Sequence, residues 1–258
     1  MTRPILILGA TGSFGAGVAQ ELLRRDRPVR CLVRNAGKAR SLLGESQALE
    51  LTVGDVQDPA TLERAAKGCE AIVHGINYPY PQWIPHMERA TVNVIETARR
   101  AGIAILFPGN VYNLGPQSAG PLREDAADRP NTKKGALRAE LEEMLRRATD
   151  DGSVRVIVLR AGDYFGPTVR NGLVDPIFGN AARGKTLRTI GKMDIPHQWA
   201  FVPDLAKAAL DLLALGDQLQ PFEVVNFAGN VAPRQDEFFR MVARVAGHLD
   251  SAVRPTPW

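Results

Sequence analysis

The chain has 258 residues, of which 45% are hydrophobic, and a formal net charge of +4 at pH 7. This predicts one globular domain with a sizeable core, and the absence of a basic block interleaved with aromatics argues against nucleic-acid binding. No apolar run approaches membrane-spanning length, which argues against a membrane protein. An apolar strand pattern begins directly after Thr2-Arg3-Pro4, so we expect no signal peptide and a cytoplasmic location. In that compartment Cys31 and Cys69 are interpreted as small buried residues rather than a disulfide.

Strand-like and helix-like segments alternate up to residue 160. Strands are predicted at 4–9, 28–33, 49–53, 70–75, 103–107 and 154–160. Helices are predicted at 13–25, 36–44, 59–67, 84–101, 132–149, 174–183, 203–215 and 234–247. Alternation of this kind with apolar strands predicts an α/β fold with a doubly wound parallel sheet.

The alternation breaks after about residue 162, where we expect substrate-side insertions at 162–200 and 228–258 in the single domain. These insertions would form a small C-terminal subdomain. The long segments 109–131 and 162–172 follow strands and leave the carboxyl edge of the sheet. Ligands bind at that edge in this architecture, and ordered loops of such length are usually functional.

A glycine-rich turn follows the first apolar strand, in the sequence Gly9-Ala10-Thr11-Gly12-Ser13-Phe14-Gly15. Gly9 would permit the turn, Gly12 would let a pyrophosphate approach the backbone, and Gly15 would let helix and strand pack closely. The position between a strand and a helix favours a Rossmann-type dinucleotide site over a glycine turn without a ligand. The expected cofactor contacts in this turn are Gly9, Thr11, Gly12, Ser13, Phe14 and Gly15.

Residues at the ends of the next three strands refine the cofactor prediction. Arg34 stands where an NAD-selective site has an acidic residue, and it favours the 2′-phosphate of NADP, although a surface arginine is the alternative. Asp55 and the amide of Val56 would contact the adenine, unless Asp55 merely caps a turn. His74 and Gly75 would lie beside the ribose and nicotinamide, with a structural histidine as an equal alternative.

The motifs together resemble the extended and atypical short-chain dehydrogenases/reductases. The likeness covers nearly the whole chain, and it depends on the order and spacing of the motifs rather than on any single one. The matching segments are Gly9–Gly15, Gly54-Asp55-Val56, Asn93, Val111-Tyr112, Leu159–Pro167 and Phe201–Ala206. The resemblance implies an NAD(P)-binding fold of the epimerase/dehydratase/reductase type.

The catalytic triad of that family is replaced in this chain. Pro108 stands at the Ser or Thr position, and alignment on Glu142 puts Lys134 at the Tyr position and Arg138 at the Lys position. On a helical projection, Lys134 and Arg138 lie on or beside the apolar face. The spacing resembles that of isoflavone-reductase-like proteins, in which a lysine does the acid/base work. Lys134 would then be the acid and Arg138 a ribose contact, unless both cations reach solvent or only hold the cofactor.

Further candidates lie on the substrate side. For the aromatic residues among them, contact with a substrate and simple packing within a loop that covers the site are equal alternatives. Asn110 and Tyr112 are the remaining catalytic candidates, although Tyr112 matches a family position that is often structural. Other candidates for substrate contact are Tyr78, Tyr80, Trp83, Asp163, Tyr164, His197 and Trp199. Asp58 and Asp204 are predicted as helix N-caps instead.

These observations predict an NADP-dependent reductase of a small carbonyl or enone substrate, with NAD the less favoured cofactor. Two other functions stay open. One is a regulatory module that binds NADP(H) without chemistry, and the other is a sugar-nucleotide epimerase or dehydratase, which the missing Tyr disfavours. No metal-ligand spacing is present in the sequence. The resemblance also implies a homodimer formed through helices 84–101 and 132–149.

Overall fold

A computed structural model of the chain describes residues 2–116, 121–171 and 173–256. The chain divides into two compact units. The sheet unit comprises Met1–Ala161 and Pro203–Phe227, and the small unit comprises Gly162–Val202 and Ala228–Trp258. Both segments predicted as substrate-side insertions fall entirely in the small unit, which extends two residues further, to Val202. Their role toward a substrate stays a prediction.

The described residues form twelve strands and seven α-helices. The strands are β1 (Ile5–Leu8), β2 (Val29–Val33), β3 (Leu49–Val53), β4 (Ala71–His74), β5 (Ala104–Gly109), β6 (Val156–Arg160), β7 (Asp163–Phe165), β8 (Leu187–Thr189), β9 (His197–Phe201), β10 (Phe222–Asn226), β11 (Asn230–Ala232) and β12 (Val253–Pro255). The helices are α1 (Ser13–Arg24), α2 (Ala36–Leu43), α3 (Pro59–Ala66), α4 (Trp83–Ala101), α5 (Lys133–Arg147), α6 (Val202–Leu215) and α7 (Gln235–Val245).

The sheet unit is built on seven parallel strands in the order β10-β6-β5-β4-β1-β2-β3. All four residues of β1 are buried, as expected for a central strand whose two faces are both covered. In the register of the sheet, Leu8 lies opposite both Leu32 and His74. The strand order reverses next to β1, and a crevice for ligands opens at the carboxyl ends of the strands at such a point. The Rossmann-type doubly wound sheet predicted from the sequence is confirmed.

The two predicted helix caps have different outcomes. Asp58 caps α3, and its carboxylate accepts a hydrogen bond of 3.1 Å from the amide of Ala60. The N-cap prediction for Asp204 is wrong, because α6 begins at Val202 and Asp204 lies in its first turn. Strand β9 leads directly into the helix at the fully buried Val202, and Pro203 is tolerated in a first turn because its missing amide is not needed there.

The small unit has its own core. Strands β11, β9 and β7 form one sheet, and β12 pairs with β8 in another. The predicted helix over 174–183 is instead a π-helical segment, Asp175–Gly179, with Pro176 near its start. Aromatic rings fill the space between the sheet and α7, with centroids 5.1–6.3 Å apart. These rings belong to Phe165, Phe178, Trp199, Phe201, Phe238 and Phe239.

The two cysteines are buried and free, as predicted. Burial raises the pKa of the Cys31 thiol to about 12, so this sulfur is not a reactive thiolate at neutral pH. Among the described residues, no helix is both long and apolar enough to cross a membrane.

Candidate functional site

The turn between β1 and α1 is closed by backbone contacts. Gly9 has a φ of +74°, and the amide of Gly12 donates a hydrogen bond of 2.9 Å to its carbonyl oxygen. A Cβ atom on Gly9 would lie 2.2 Å from the carbonyl oxygen of Gly75, and one on Gly15 would lie 2.4 Å from the carbonyl oxygen of Gly9. Neither distance is possible for real atoms, so the turn excludes side chains at both glycines.

The first turn of α1 has the features of an anion site. Gly12 occupies the N-cap position without a side-chain hydrogen bond, and no acidic residue lies in the first turn. The partial positive charge of the helix terminus is therefore not offset by a local carboxylate. Thr11 and Ser13 are half-buried, whereas the ring of Phe14 is buried in the protein interior. A turn with this backbone and this charge fits the pyrophosphate of a dinucleotide.

Arg34 lies just beyond the end of β2, and its side chain is exposed. The next residue, Asn35, caps α2 by accepting a hydrogen bond of 2.8 Å from the amide of Lys38. The cap holds the start of α2 at the carboxyl edge of the sheet, so Arg34 stands at the edge where a dinucleotide binds in this fold.

Asp55 and Val56 lie at the corresponding position after β3. The Oδ1 atom of Asp55 accepts a hydrogen bond of 2.9 Å from the amide of Gln57, so this carboxylate does cap a turn. Val56 is buried, and the Nδ2 of Asn93 donates a hydrogen bond of 2.9 Å to its carbonyl oxygen. Turn capping uses one carboxylate oxygen of Asp55, and an adenine contact stays a prediction.

His74 is fully buried at the end of β4. Its Nε2 lies 3.0 Å from Oγ1 of Thr91, and its ring centroid lies 5.3 Å from that of Phe107. Burial, together with the nearby charge of Arg138, lowers the pKa of His74 to about 3, so the ring is neutral at physiological pH. This environment favours the structural interpretation of His74. At Gly75, a Cβ atom would lie 2.8 Å from the carbonyl oxygen of Leu8, so close packing requires the glycine.

The loop after β5 packs against the start of α5. The Oδ1 of Asn110 accepts a hydrogen bond of 3.0 Å from the amide of Tyr112. A Cβ on Gly135 would lie 2.3 Å from the carbonyl oxygen of Tyr112, so this glycine lets helix and loop touch. The hydroxyl of Thr132 caps the helix by accepting a 3.0 Å hydrogen bond from the Gly135 amide. The fold thus brings Asn110 and Tyr112 to the first turn of α5, which also carries Lys134.

The two cations predicted on α5 differ in burial. Arg138 is 5% exposed, its Nη2 donates a hydrogen bond to the carbonyl oxygen of Pro108, and its guanidinium carbon lies 4.5 Å from the ring centroid of Phe107. Lys134 is exposed because it lies in the first turn, beyond the apolar stripe that covers Arg138. Arg138 is therefore fixed at the end of β5, and Lys134 is open to solvent.

A buried ion pair that was not predicted from the sequence lies beside these cations. The Nη2 and Nε of Arg160 lie 2.6 Å and 3.0 Å from Oε2 of Glu142, and the two side chains are 7% and 4% exposed. Two signals could have identified the pair. Glu142 interrupts the apolar stripe of α5, and Arg160 ends a strand that is otherwise entirely apolar.

Several predicted substrate contacts turn out to be packing residues. Trp83 is buried and donates a hydrogen bond of 2.7 Å to the carbonyl oxygen of Tyr78. Trp199 is buried in the core of the small unit. In the same unit, Nε2 of His197 lies 2.9 Å from Oδ2 of Asp163, and both side chains are partly exposed.

The structure says less about the other predicted substrate contacts. Tyr164 is half-buried in the small unit, and the side chain of Tyr80 lies outside the described residues. Residues 117–120 of the long loop after β5, and residue 172 of the loop after β7, also lie outside them. Among the described residues, no three His, Cys, Asp or Glu side chains are grouped to hold a metal ion.

Two curated proteins are similar to a large part of the chain. Sterol demethylase protein B of Methylococcus capsulatus is 26% identical over 226 residues, which is 81% of this chain and 65% of that protein. The 3-diazoavenalumate denitrifying reductase of a Streptomyces species is 28% identical over 77% of this chain and 66% of that protein. The chain thus spans less than two thirds of the length of either relative.

The solved structures that resemble the chain bear on its fold. A dTDP-glucose 4,6-dehydratase from Bacillus anthracis, solved in complex with NAD, superimposes with a TM-score of 0.84 at 20% identity. The match covers 99% of this chain and 84% of the dehydratase. The sequence profile of the NAD dependent epimerase/dehydratase family matches residues 5–228. The chain belongs to the NAD dependent epimerase/dehydratase family.

Proposed function

We propose that this protein is an NADP(H)-dependent oxidoreductase that reduces a carbonyl or enone group. The observation that carries the proposal is the side-chain-free turn at Gly9, Gly12 and Gly15, which opens onto a helix terminus without an acidic neighbour. Such a turn serves the pyrophosphate of a dinucleotide. The similarity to a protein named as a reductase supports the direction of the reaction.

Residues from four strand ends would hold the cofactor. The backbone of the glycine turn would bind the pyrophosphate, Arg34 the 2′-phosphate, and Asp55 with the Val56 amide the adenine. The guanidinium of Arg138 would donate to the nicotinamide ribose, because it is the buried cation at the end of β5. When bound, the reduced dinucleotide supplies a hydride to the carbonyl carbon of the substrate.

The proton would come from Lys134. Its ammonium would donate a proton to the oxygen of the reacting carbonyl, directly or through one water, while the hydride reaches the carbon. From a simple carbonyl the product is the alcohol. From an enone reduced at its β-carbon the product is the enol, which becomes the saturated ketone by taking a proton from solvent at its α-carbon and losing the hydroxyl proton. Exposure of Lys134 in the first turn of α5 lets the neutral amine recover its proton from solvent. Asn110 and Tyr112, held against the same turn, would orient the carbonyl group.

A test of this proposal mixes the purified chain with NADPH and three chemically distinct probes, which are 9,10-phenanthrenequinone, cyclohex-2-enone and benzaldehyde. Oxidation of NADPH that depends on both the chain and a probe is the expected result. A chain that binds NADPH tightly and turns over none of the probes would contradict the reductase proposal for these carbonyl classes.

That negative result would favour a second candidate, a module that binds NADP(H) and does no chemistry. Two observations support it, since Pro108 replaces the family hydroxyl and Lys134 is exposed rather than enclosed. The module would bind a partner protein with an affinity that depends on whether the dinucleotide is oxidised or reduced. A sugar-nucleotide epimerase or dehydratase is disfavoured by the missing Tyr, and dinucleotide that co-purifies with the chain would support that reaction.

A homodimer and a cytoplasmic location stay predictions. A cavity of about 280 Å³ lies in the groove between α4 and α5, the two helices through which the resemblance implies dimerisation. Val92 and Met144 are among its lining residues, and Val92 is 43% exposed. Sedimentation of the chain would decide the oligomeric state, and Val92→Glu would lower the dimer fraction if this groove is the interface.

A further inference from the structure

The inner face of α5 carries two charged side chains that are both buried. Arg138 reaches the end of β5, and Glu142, one turn later, reaches the end of β6 through Arg160. Asn113, also fully buried, donates through Nδ2 to Asp128 at 2.7 Å and lies 3.5 Å from Oε2 of Glu142. The carboxylate of Glu142 therefore joins the helix, strand β6 and the loop after β5.

Hydrogen bonds hold that loop both before and after residues 117–120, which lie outside the described residues. In the part 110–116, the carbonyl oxygen of Asn113 accepts a hydrogen bond of 2.9 Å from the amide of Arg129. In the part 121–131, the carbonyl oxygen of Glu124 accepts from Nη1 of Arg160 at 3.3 Å. The carboxylate of Glu124 also accepts from the amide of Asn226 at 3.0 Å. The first contact involves Asn113 and the second Arg160, whereas the third joins the loop to β10.

The network is a poor device for stability alone. Among the described residues, Oε1 of Glu142 and Oδ1 of Asn113 are buried without a hydrogen-bond partner. Burial also raises the pKa of Glu142 against the opposing effect of Arg160. A buried pair with unsatisfied acceptors gives up much of its attraction to desolvation, and an apolar replacement is often as stable. Such a pair is better explained by the geometry that it enforces.

We propose that Glu142 is a positioning residue for the active site: through Arg160 and Asn113 it holds the loop after β5 against α5, so that Asn110 and Tyr112 face the substrate beside Lys134. This inference rests on the proposed function. Glu142 itself touches neither substrate nor cofactor in this account. Its contribution is to the arrangement of the loop rather than to binding of the dinucleotide.

The variant Glu142→Gln tests the proposal, because it keeps the shape of the side chain and removes its charge. Its matched control is Glu143→Gln, the next residue of α5, whose exposed carboxylate pairs with Arg146 and Arg147. Hydrogen exchange of single amides reports on the loop without any substrate. We expect exchange at the Arg129 amide to rise by about tenfold or more in Glu142→Gln, while the Ile7 amide in β1 is unchanged. The control should leave both amides unchanged.

Kinetics give the second measurement. With the carbonyl probe that the wild type reduces best, kcat of Glu142→Gln should fall by about tenfold or more, because displacement of orienting groups slows the chemical step. The dissociation constant of NADPH should stay within about twofold of the wild-type value, since the glycine turn is untouched. Equal acceleration of exchange at Arg129 and Ile7 would overturn the proposal, because it would mean general destabilisation. Unchanged exchange and kcat would overturn it as well.

If Glu142→Gln does not fold, Asn113→Ala decides the question. This change removes the side-chain contacts of Asn113 with Asp128 and Glu142, and it leaves the Glu142–Arg160 pair and the contact of Arg160 with Glu124 in place. Faster exchange at Arg129 with a lower kcat supports positioning, and wild-type values for both overturn it. A wild-type chain that reduces no probe while the exchange results hold would refute the proposed function but leave the mechanical link between Glu142 and the loop established.

Discussion

The turn after β1 is built from backbone, whereas the edge formed by β5 and α5 is built from side chains. At Gly9 and Gly15 the structure is fixed by contacts shorter than any side chain allows. At the other edge, Arg138, Glu142 and Arg160 fix the geometry through charged hydrogen bonds. Both regions lie at the carboxyl ends of parallel strands of one sheet.

The two kinds of construction suit different tasks. A pyrophosphate is recognised by amides and a helix terminus, so its site requires a backbone conformation rather than particular side chains. A reaction is performed by side chains, and these can be exchanged while the strands and helices stay in place. On the alignment at Glu142, Pro108, Lys134 and Arg138 stand at the positions of the family triad, while the sheet, the turn and helix α5 are present.

The largest effect that we expect in the side-chain region comes from removal of the proposed acid, Lys134. We expect Lys134→Met to lower the rate of hydride transfer by about 10²- to 10⁴-fold, because a positioned acid contributes that much. Binding of NADPH should be unchanged, since the glycine turn carries it. Stopped-flow measurement of NADPH oxidation with the best carbonyl probe checks the rate, and Lys133→Met is the control from the same exposed turn. An unchanged rate in Lys134→Met would remove this residue from the mechanism.

The backbone turn can be broken with a single methyl group. Gly9→Ala should destabilise the chain by about 3 kcal/mol, from a left-handed backbone conformation and a clash with the Gly75 carbonyl. Gly102→Ala isolates the first of these costs, because Gly102 is left-handed, with φ +62° and ψ +43°, and a Cβ there meets open space. Denaturant unfolding should show about 1 kcal/mol of destabilisation for Gly102→Ala. Equal losses in the two variants would mean that the turn is less closely packed than described.

The sequence was informative about the first region and much less so about the second. The succession of strands and helices up to residue 160, the helix capped by Asp58 and the glycine turn follow from local patterns, each contained in a single segment of the chain. The pairing of Glu142 with Arg160 joins a helix to a strand, so no periodicity within either element predicts it. The short strands β7, β8, β11 and β12 were missed because three residues give no alternation to detect. Strands β9 and β10, of five residues each, are also absent from the six predicted strands. Trp83 and Trp199 were predicted as ligand contacts because the composition of a loop does not indicate whether an aromatic ring in it is buried.

The buried histidine between the two regions predicts a dependence of stability on pH. Burial lowers the pKa of His74 to about 3, whereas the unfolded chain has the ordinary value of 6.5. Between pH 6.5 and about pH 3, His74 is protonated in the unfolded state and neutral in the folded state. The free energy of unfolding therefore decreases as the pH falls through this range. The contribution is about 1.4 kcal/mol per pH unit within that window. We expect His74→Gln to lose this part of the slope in urea unfolding, while His86→Gln keeps it. A wild-type slope in His74→Gln would show that other groups cause it.

Two smaller effects distinguish a residue that stabilises the fold from a residue that binds the cofactor, both of them after β3. Asp58→Ala should destabilise the chain by about 1 kcal/mol, the usual value of an N-cap, and leave NADPH affinity unchanged. Asp55→Ala should weaken NADPH binding by about fivefold to tenfold, because it removes a hydrogen bond to the adenine. Thermal unfolding and fluorescence titration measure the two quantities. If Asp55→Ala changes stability alone, the turn cap is its whole role.

The central claim is that this chain binds a phosphorylated dinucleotide through its glycine turn and Arg34. Calorimetric titration of the wild type with NADPH and with NADH tests it most directly, with Arg34→Ala as the variant. Arg40→Ala is the control, since Arg40 is an exposed neighbour that pairs with Glu45 at 2.8 Å. We expect the wild type to prefer NADPH, and Arg34→Ala to reduce that preference by about tenfold or more, while Arg40→Ala retains it. Failure of the wild type to bind either dinucleotide would contradict the account.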